Sequence, residues 1–274
     1  MRAASLYSLL CTLAVTLACS VSPNEERELG VEMAASVDSQ LPLVRDTATL
    51  AFVQSLGREM AAQTSRASLD WRFAVVNSDE VNAFAVPGGF VYVTRGALER
   101  ADRFDEIAGV MAHEIGHVVR RHSVKQIQQA EKRDVGVVLL CTLTRVCHSL
   151  GGVIAVRTAG DALTARYSQR DESEADAEAV VITRRTNIDP EGLPSFLKKI
   201  LAQRTAQPTP VDAFFATHPT DEARIDALNR QIANLSPPDR PLTKDKTEFH
   251  VMQEHLRGLP RPPHDTTAPS SPAR

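Results

Sequence analysis

The sequence predicts an α+β protein that is mostly α-helical, with a small antiparallel sheet. Three observations carry this. Residues 23 to 66 space their apolar side chains at helical intervals. The period then drops to two through "WRFAVVNSD" and "VNAFAVPGGFVYVTRGAL". From Asp102 onward helical spacing returns and holds through "TDEARIDALNRQIANL". In order, "SPNEERELGVEMAASVDSQ" opens on a Ser-Pro cap with glutamates in its first turn. "DTATLAFVQSLGREMAAQT" supplies a second helix, and Pro87-Gly88-Gly89 marks a turn between two of about three short strands. Asp102 or Asp105 opens the next helix, whose buried stripe is Ile107, Val110, Met111, Ile115 and Val118. Three further helices follow, in "DALTARYSQRDESEADAEAVVITRRT", "DPEGLPSFLKKILAQRT" and "TDEARIDALNRQIANL".

Three regions are expected along the 274 residues: an export signal at 1–19, a folded domain at 20–236 and a tail at 237–274. Arg2 and the short apolar run Leu6 to Leu17 form the signal. Cys19 sits where a bacterial lipoprotein signal places its lipidated cysteine, although Thr16 stands where such signals usually carry leucine. The reading is therefore divided between a lipid-anchored protein, directed to the outer membrane by Ser20, and a soluble exported one. Either way the compartment is oxidising. Cys141 and Cys147 in "LLCTLTRVCHSL" are then either a disulfide or two buried small hydrophobes. The apolar stretch 134–161 around them is interrupted by Arg145 and His148, so it is no transmembrane helix; it is either a buried helical hairpin or a membrane-facing or substrate-facing element. Eight of the sixteen prolines lie in the last 38 residues, so the tail is expected to be largely disordered, with "KTEFHVMQEHLRG" able to dock as a short helix. A net charge of −3 with scattered basic residues gives no footprint for nucleic acid.

The chemistry concentrates in "VMAHEIGHVVRRH". His113 and His117 are four apart, on one face of a helix, and can aim two imidazoles at one point. Glu114 follows the first histidine, where it can reach a metal-bound water as general base. The competing reading is a solvated helix rich in histidine. Against it, the flanking residues are apolar, and burying two imidazoles and a carboxylate without a partner costs several kcal/mol. A catalytic zinc needs a third protein ligand, and "YSQRDESEADAEAV" offers Glu172, with Asp176 one turn on to support a histidine. That stretch also reads as an acidic, solvated helix.

These residues resemble the HtpX-like zinc metallopeptidases, a gluzincin family, and in particular their secreted BepA/LoiP/Oma-like branch. The resemblance covers residues 24 to 232 through four motifs in the family's order: "NAFAVPGGFVYVTRGAL", "HEIGH", "YSQRDESEADAEA" and "THPTDEARI". It implies a zincin-type helical domain whose small sheet lines the active cleft. It implies one zinc held by His113, His117 and Glu172, with Glu114 and Asp176 as the catalytic carboxylates. His218 would be a regulatory fourth ligand or merely a cap, a job Thr220 can do alone, and Arg224 either stabilises an oxyanion or makes a structural ion pair. The strand Phe90, Val91, Tyr92, Val93 and Thr94 would offer its edge to an extended substrate. The expected activity is endoproteolysis of unfolded or misassembled envelope proteins, in the periplasm and membrane-anchored if Cys19 carries lipid. The alternative is a latched protease fold that binds partners as a chaperone does.

Overall fold

Ser22 starts the first helix as the sequence suggests. Its hydroxyl accepts from the Glu25 amide, the Glu25 carboxylate accepts from the Ser22 amide, and Pro23 occupies the first turn of α1 (Pro23–Gln40). In the computed structural model, residues 21–129 and 167–261 are described. Cys19, Cys141, Cys147, the signal at 1–19 and the apolar stretch 134–161 lie outside them. Asp46 caps α2 (Thr47–Ala61), and the chain then enters β1 (Arg72–Val76), β2 (Ala83–Val86) and β3 (Phe90–Thr94). Gly88 and Gly89, with φ of 82° and 102°, make the turn between β2 and β3, a conformation that residues with a Cβ adopt only under strain.

The sheet is mixed, not antiparallel throughout. Its order is β1-β3-β2, with β1 parallel and β2 antiparallel to β3. Period-two alternation reveals that a segment is a strand but carries no direction, so the crossing from β1 to the far side of β3 was not legible. Phe90 to Thr94 is therefore the central strand, hydrogen-bonded on both sides, and cannot offer an edge. Alternate side chains face two cores: Phe73, Val75, Val91 and Val93 enter the main core, while Ala74, Val76, Phe84 and Tyr92 pack under α1.

Thr94 caps the short α3 (Arg95–Arg100), which leads to α4 (Phe104–Val119), buried at every residue from Phe104 to Val118. The residue at its N-cap is Arg103, which makes no side-chain cap; the Phe104 amide donates instead to Asp245, 141 positions away. α5 (Gln169–Arg185), capped by Ser168 and Asp171, packs along α4. Gly116 permits this closeness: a Cβ there would stand 2.8 Å from the Ala175 carbonyl oxygen. α6 (Gly192–Leu201), α7 (Asp212–Thr217) and α8 (Glu222–Ala233, capped by Asp221 and not Thr220) complete that side.

Folded structure continues past the boundary expected at 236. Helix α9 (Thr247–Gly258) packs on α2 and buries Phe249, Met252 and Leu256 in the main core. The segment "KTEFHVMQEHLRG" does dock as a short helix; the proline-rich composition around it led to the boundary being drawn too early. Arg95, fully buried, holds the end of α9: it donates to the carbonyls of Leu256, Arg257, Leu259 and Pro260, to Asn77 and to Glu99.

Candidate metal centre

The i, i+4 spacing on α4 brings the Nε2 atoms of His113 and His117 to 2.9 Å from each other. Glu172, from the first turn of α5, meets both: its oxygens are 3.5 Å from His113 Nε2 and 3.4 Å from His117 Nε2. His218, at the C-terminal end of α7, brings Nδ1 to 3.1 Å from Glu172 and 3.4 Å from His113 Nε2. One donor atom from each of these four side chains lies within 4.8 Å of the others, and all four are buried. Glu114, on the same turn of α4, is fully buried, and neither carboxylate oxygen has a hydrogen-bond partner among the described residues.

Supporting contacts surround the cluster. Asp176 reaches His113 Nδ1 at 2.9 Å. Arg224 grips Asp176 with Nη2 and Nε, at 2.7 and 2.8 Å, and its Nη1 pairs with Glu172 and donates to Pro219 O and Thr220 Oγ1. Tyr167 stacks on the His117 ring, centroid to centroid at 3.8 Å, and Phe214 stacks on His218 at 4.9 Å. His122 approaches the far side of His117.

The electrostatics follow from crowding these groups out of water. Burial raises the Glu114 carboxyl above its usual range and drives His117 well below its usual value. Burial also opposes the charged form of His113, but the Glu172 charge and the Asp176 hydrogen bond together push it up to about 9. Burial works against the charged form of Glu172 too, yet the facing His218 and His113 rings hold it well below the usual carboxylate range. Asp176 is lowered because the Arg224 guanidinium outweighs its burial.

Three imidazole nitrogens and a carboxylate oxygen form a donor set that suits zinc or another divalent transition ion. Two facing Nε2 atoms and an orphaned buried carboxylate are costly without a cation, so the residues fit one. The structure brings together His113, Glu114, His117, Glu172, Asp176, His218 and Arg224. Phe90 to Thr94 has no contact with the cluster residues among those described; β2 packs more closely on α4 than β3 does, and Ser123 links β2 to the site by contacting both the Ala85 carbonyl and the Tyr167 hydroxyl. Sequence reading gave no role to Tyr167, although it opens the motif "YSQRDESEADAEA". It also gave no role to His122, although the run "HEIGHVVRRH" contains it.

A His-Glu-x-x-His helix, a carboxylate from a neighbouring helix and a small sheet alongside are the architecture of a metallopeptidase domain of the gluzincin kind. The chain belongs to peptidase family M48, whose model matches residues 48–232. It is 28% identical over 251 residues to the beta-barrel assembly-enhancing protease of Escherichia coli (strain K12), covering 88% of this chain and 50% of that one. Against the mitochondrial metalloendopeptidase OMA1 of Schizosaccharomyces pombe it is 30% identical over 188 residues, covering 69% of this chain and 54% of the other. The chain thus spans about half the length of these relatives. Among the described residues no helix is long and apolar enough to cross a membrane.

Proposed function

We propose that this chain is a zinc-dependent endopeptidase that cleaves unfolded or misassembled proteins of the cell envelope, exported and anchored through a lipid on Cys19. The observation that carries the catalytic reading is the fully buried Glu114 carboxylate, without a hydrogen-bond partner among the described residues and with His218 Nε2 3.4 Å from Oε1, beside the convergent His113, His117 and Glu172. These three would hold the ion. Zinc bound there supplies a Lewis acid for the scissile carbonyl and a lowered pKa for the attacking water.

The rest of the work belongs to the chain. Glu114 takes the proton of the attacking water and returns it to the leaving amine, and its raised pKa suits a group that must both accept and release. Asp176 fixes the His113 ring, and Arg224 holds Asp176 and Glu172 in place. With both oxygens of Asp176 and one of Glu172 engaged, Arg224 reads as the structural partner. An extended substrate would add to β2 and not β3. The Thr94 amide donates to Asn82 O, so by antiparallel alternation Ala83 and Ala85 turn their backbone groups outward. Ser123 occupies the Ala85 carbonyl at 3.4 Å and would give way.

His218 supports a second reading. Its Nδ1 joins the donor set, which fills the fourth position that a catalytic ion must leave open. A protein kept in this state would act on its partners by binding them. One experiment separates the two: casein degradation by wild type, Glu114→Gln, His218→Ala and the double variant. Cleavage by wild type or by His218→Ala that disappears whenever Glu114 is replaced supports the peptidase; activity in His218→Ala alone makes His218 a latch. Zinc-loaded protein with no cleavage by any variant sinks the peptidase reading in favour of partner binding.

A further inference from the structure

A histidine that ligates a metal through one nitrogen needs its other N–H held, because that bond sets the tautomer and the ring angle. For His113 the facing carboxylate is Asp176, with Oδ1 2.9 Å from Nδ1. His117 has no such carboxylate. Its Nδ1 faces Nδ1 of His122 at 2.8 Å, ring planes at 72°. At that distance one nitrogen donates and the other accepts. Were His122 the donor, His117 would carry its proton on Nε2, the nitrogen that points at His113 and Glu172, and no lone pair would remain for an ion. The only tautomer compatible with ligation puts the proton on His117 Nδ1 and makes His122 Nδ1 the acceptor. His122 must then carry its own proton on Nε2, and that atom faces acceptors: Glu174 Oε2 at 3.4 Å and Asp171 Oδ1 at 3.6 Å.

We infer that His122 is a positioning residue for His117, the middle member of a carboxylate–imidazole–imidazole chain running from Glu174 and Asp171 to the metal centre. The inference rests on reading His117 as a ligand.

The chain is bent to deliver this contact. On a continuous helix a residue five positions on lies roughly 140° around the axis from its starting point, facing away from it. Here α4 stops at Val119, and Arg121 takes a left-handed conformation, φ 59°, that brings His122 back over His117. An L-residue rarely holds that conformation unless its surroundings impose it. They do: Arg121 pairs with the buried Glu26 of α1 at 2.7 Å and donates to the Val21 carbonyl, and Glu26 is itself gripped by both terminal nitrogens of Arg66. His122 is 1% exposed, so this contact is fixed within the fold.

The test measures zinc affinity by chelator competition on the full chain, together with the unfolding midpoint of each metal-free protein. His122→Leu removes the acceptor and is expected to bind zinc about 10- to 100-fold more weakly. His122→Asn places an amide oxygen near the lost Nδ1 and should restore affinity to within about threefold of wild type. The pair Glu174→Gln with Asp171→Asn leaves His122 in place but slackens it, and a loss of about three- to tenfold is expected. Wild-type affinity in His122→Leu overturns the inference, as does an Asn variant as weak as the Leu variant at equal metal-free stability. Should His122→Leu fail to fold, the carboxylate pair decides, and unchanged affinity there overturns it. A wild type that binds no zinc defeats the metal-centre reading itself, whereas tight wild-type binding with indifferent His122 variants defeats this inference alone.

Discussion

Arg95 and Glu114 are both fully buried, and the fold treats them in opposite ways. Arg95 directs its guanidinium into six acceptors, four of them backbone carbonyls at and just past the end of α9. Glu114 has none for either oxygen among the described residues. A saturated buried charge joins elements; an unsaturated one is tolerated only where something else is gained. The contrast separates structural from chemical investment without reference to motif or family.

Replacing each group should produce opposite losses. Glu114→Gln is expected to lower peptide hydrolysis by about 10²- to 10⁴-fold in a fluorogenic peptide assay. It should not weaken the fold. Above pH 4.5 the unfolded chain ionises this glutamate while the buried group keeps its proton, so the metal-free protein loses stability as pH rises from 4.5 through the raised value. The glutamine variant escapes that loss, and its metal-free denaturation midpoint should match or exceed wild type in that window. A clear drop would show that the contact with His218 Nε2, 3.4 Å away, stabilises the Glu114 carboxylate. Arg95→Met inverts the pattern: a stability loss of about 3–5 kcal/mol by urea unfolding, with unchanged zinc content and turnover per folded molecule. If turnover falls in proportion, the two regions are coupled and the contrast fails.

Smaller effects sharpen the boundary. Asp176→Ala frees His113 Nδ1 and is expected to cost about 10- to 100-fold in zinc affinity, read by chelator competition. The smallest effect is a proton count. His113 with a pKa of about 9 is largely charged in the metal-free protein at neutral pH and must lose its proton to ligate. Its contribution to metal-free stability is full below the ordinary value of 6.5 and disappears as pH rises through about 9. Zinc uptake at about pH 8 should therefore release close to one proton, visible as a dependence of calorimetric heat on buffer ionisation enthalpy. Heats independent of buffer would mean His113 is already neutral.

What could be read from the sequence divides along the same physical line. His113, Glu114 and His117 were legible because a helix has a fixed period and nothing interrupts α4 between them. Glu172 and Asp176 could be singled out as candidates only beside that pair, since one turn of an acidic helix looks alike buried or solvated. His122 was not, because its contact depends on the left-handed break at Arg121, which no residue type announces. The β3 assignment failed for want of strand direction. Helix α9 was readable as a short docking helix, but the prolines on either side hid that Phe249, Met252 and Leu256 belong to the main core, and the start of α4 depends on Asp245, a partner that no local window contains.

The ring of Tyr167, lying over His117 at 3.8 Å with planes 22° apart, has a consequence that is optical. The chain holds three tyrosines and one tryptophan, and Trp71 is stacked at the sheet on Phe73. Tyr167 is thus an aromatic chromophore in face contact with the second histidine of the motif. Any event that redistributes charge on that imidazole changes the asymmetric field around the phenol, and near-ultraviolet circular dichroism will register it. The centre carries its own reporter, readable without a label.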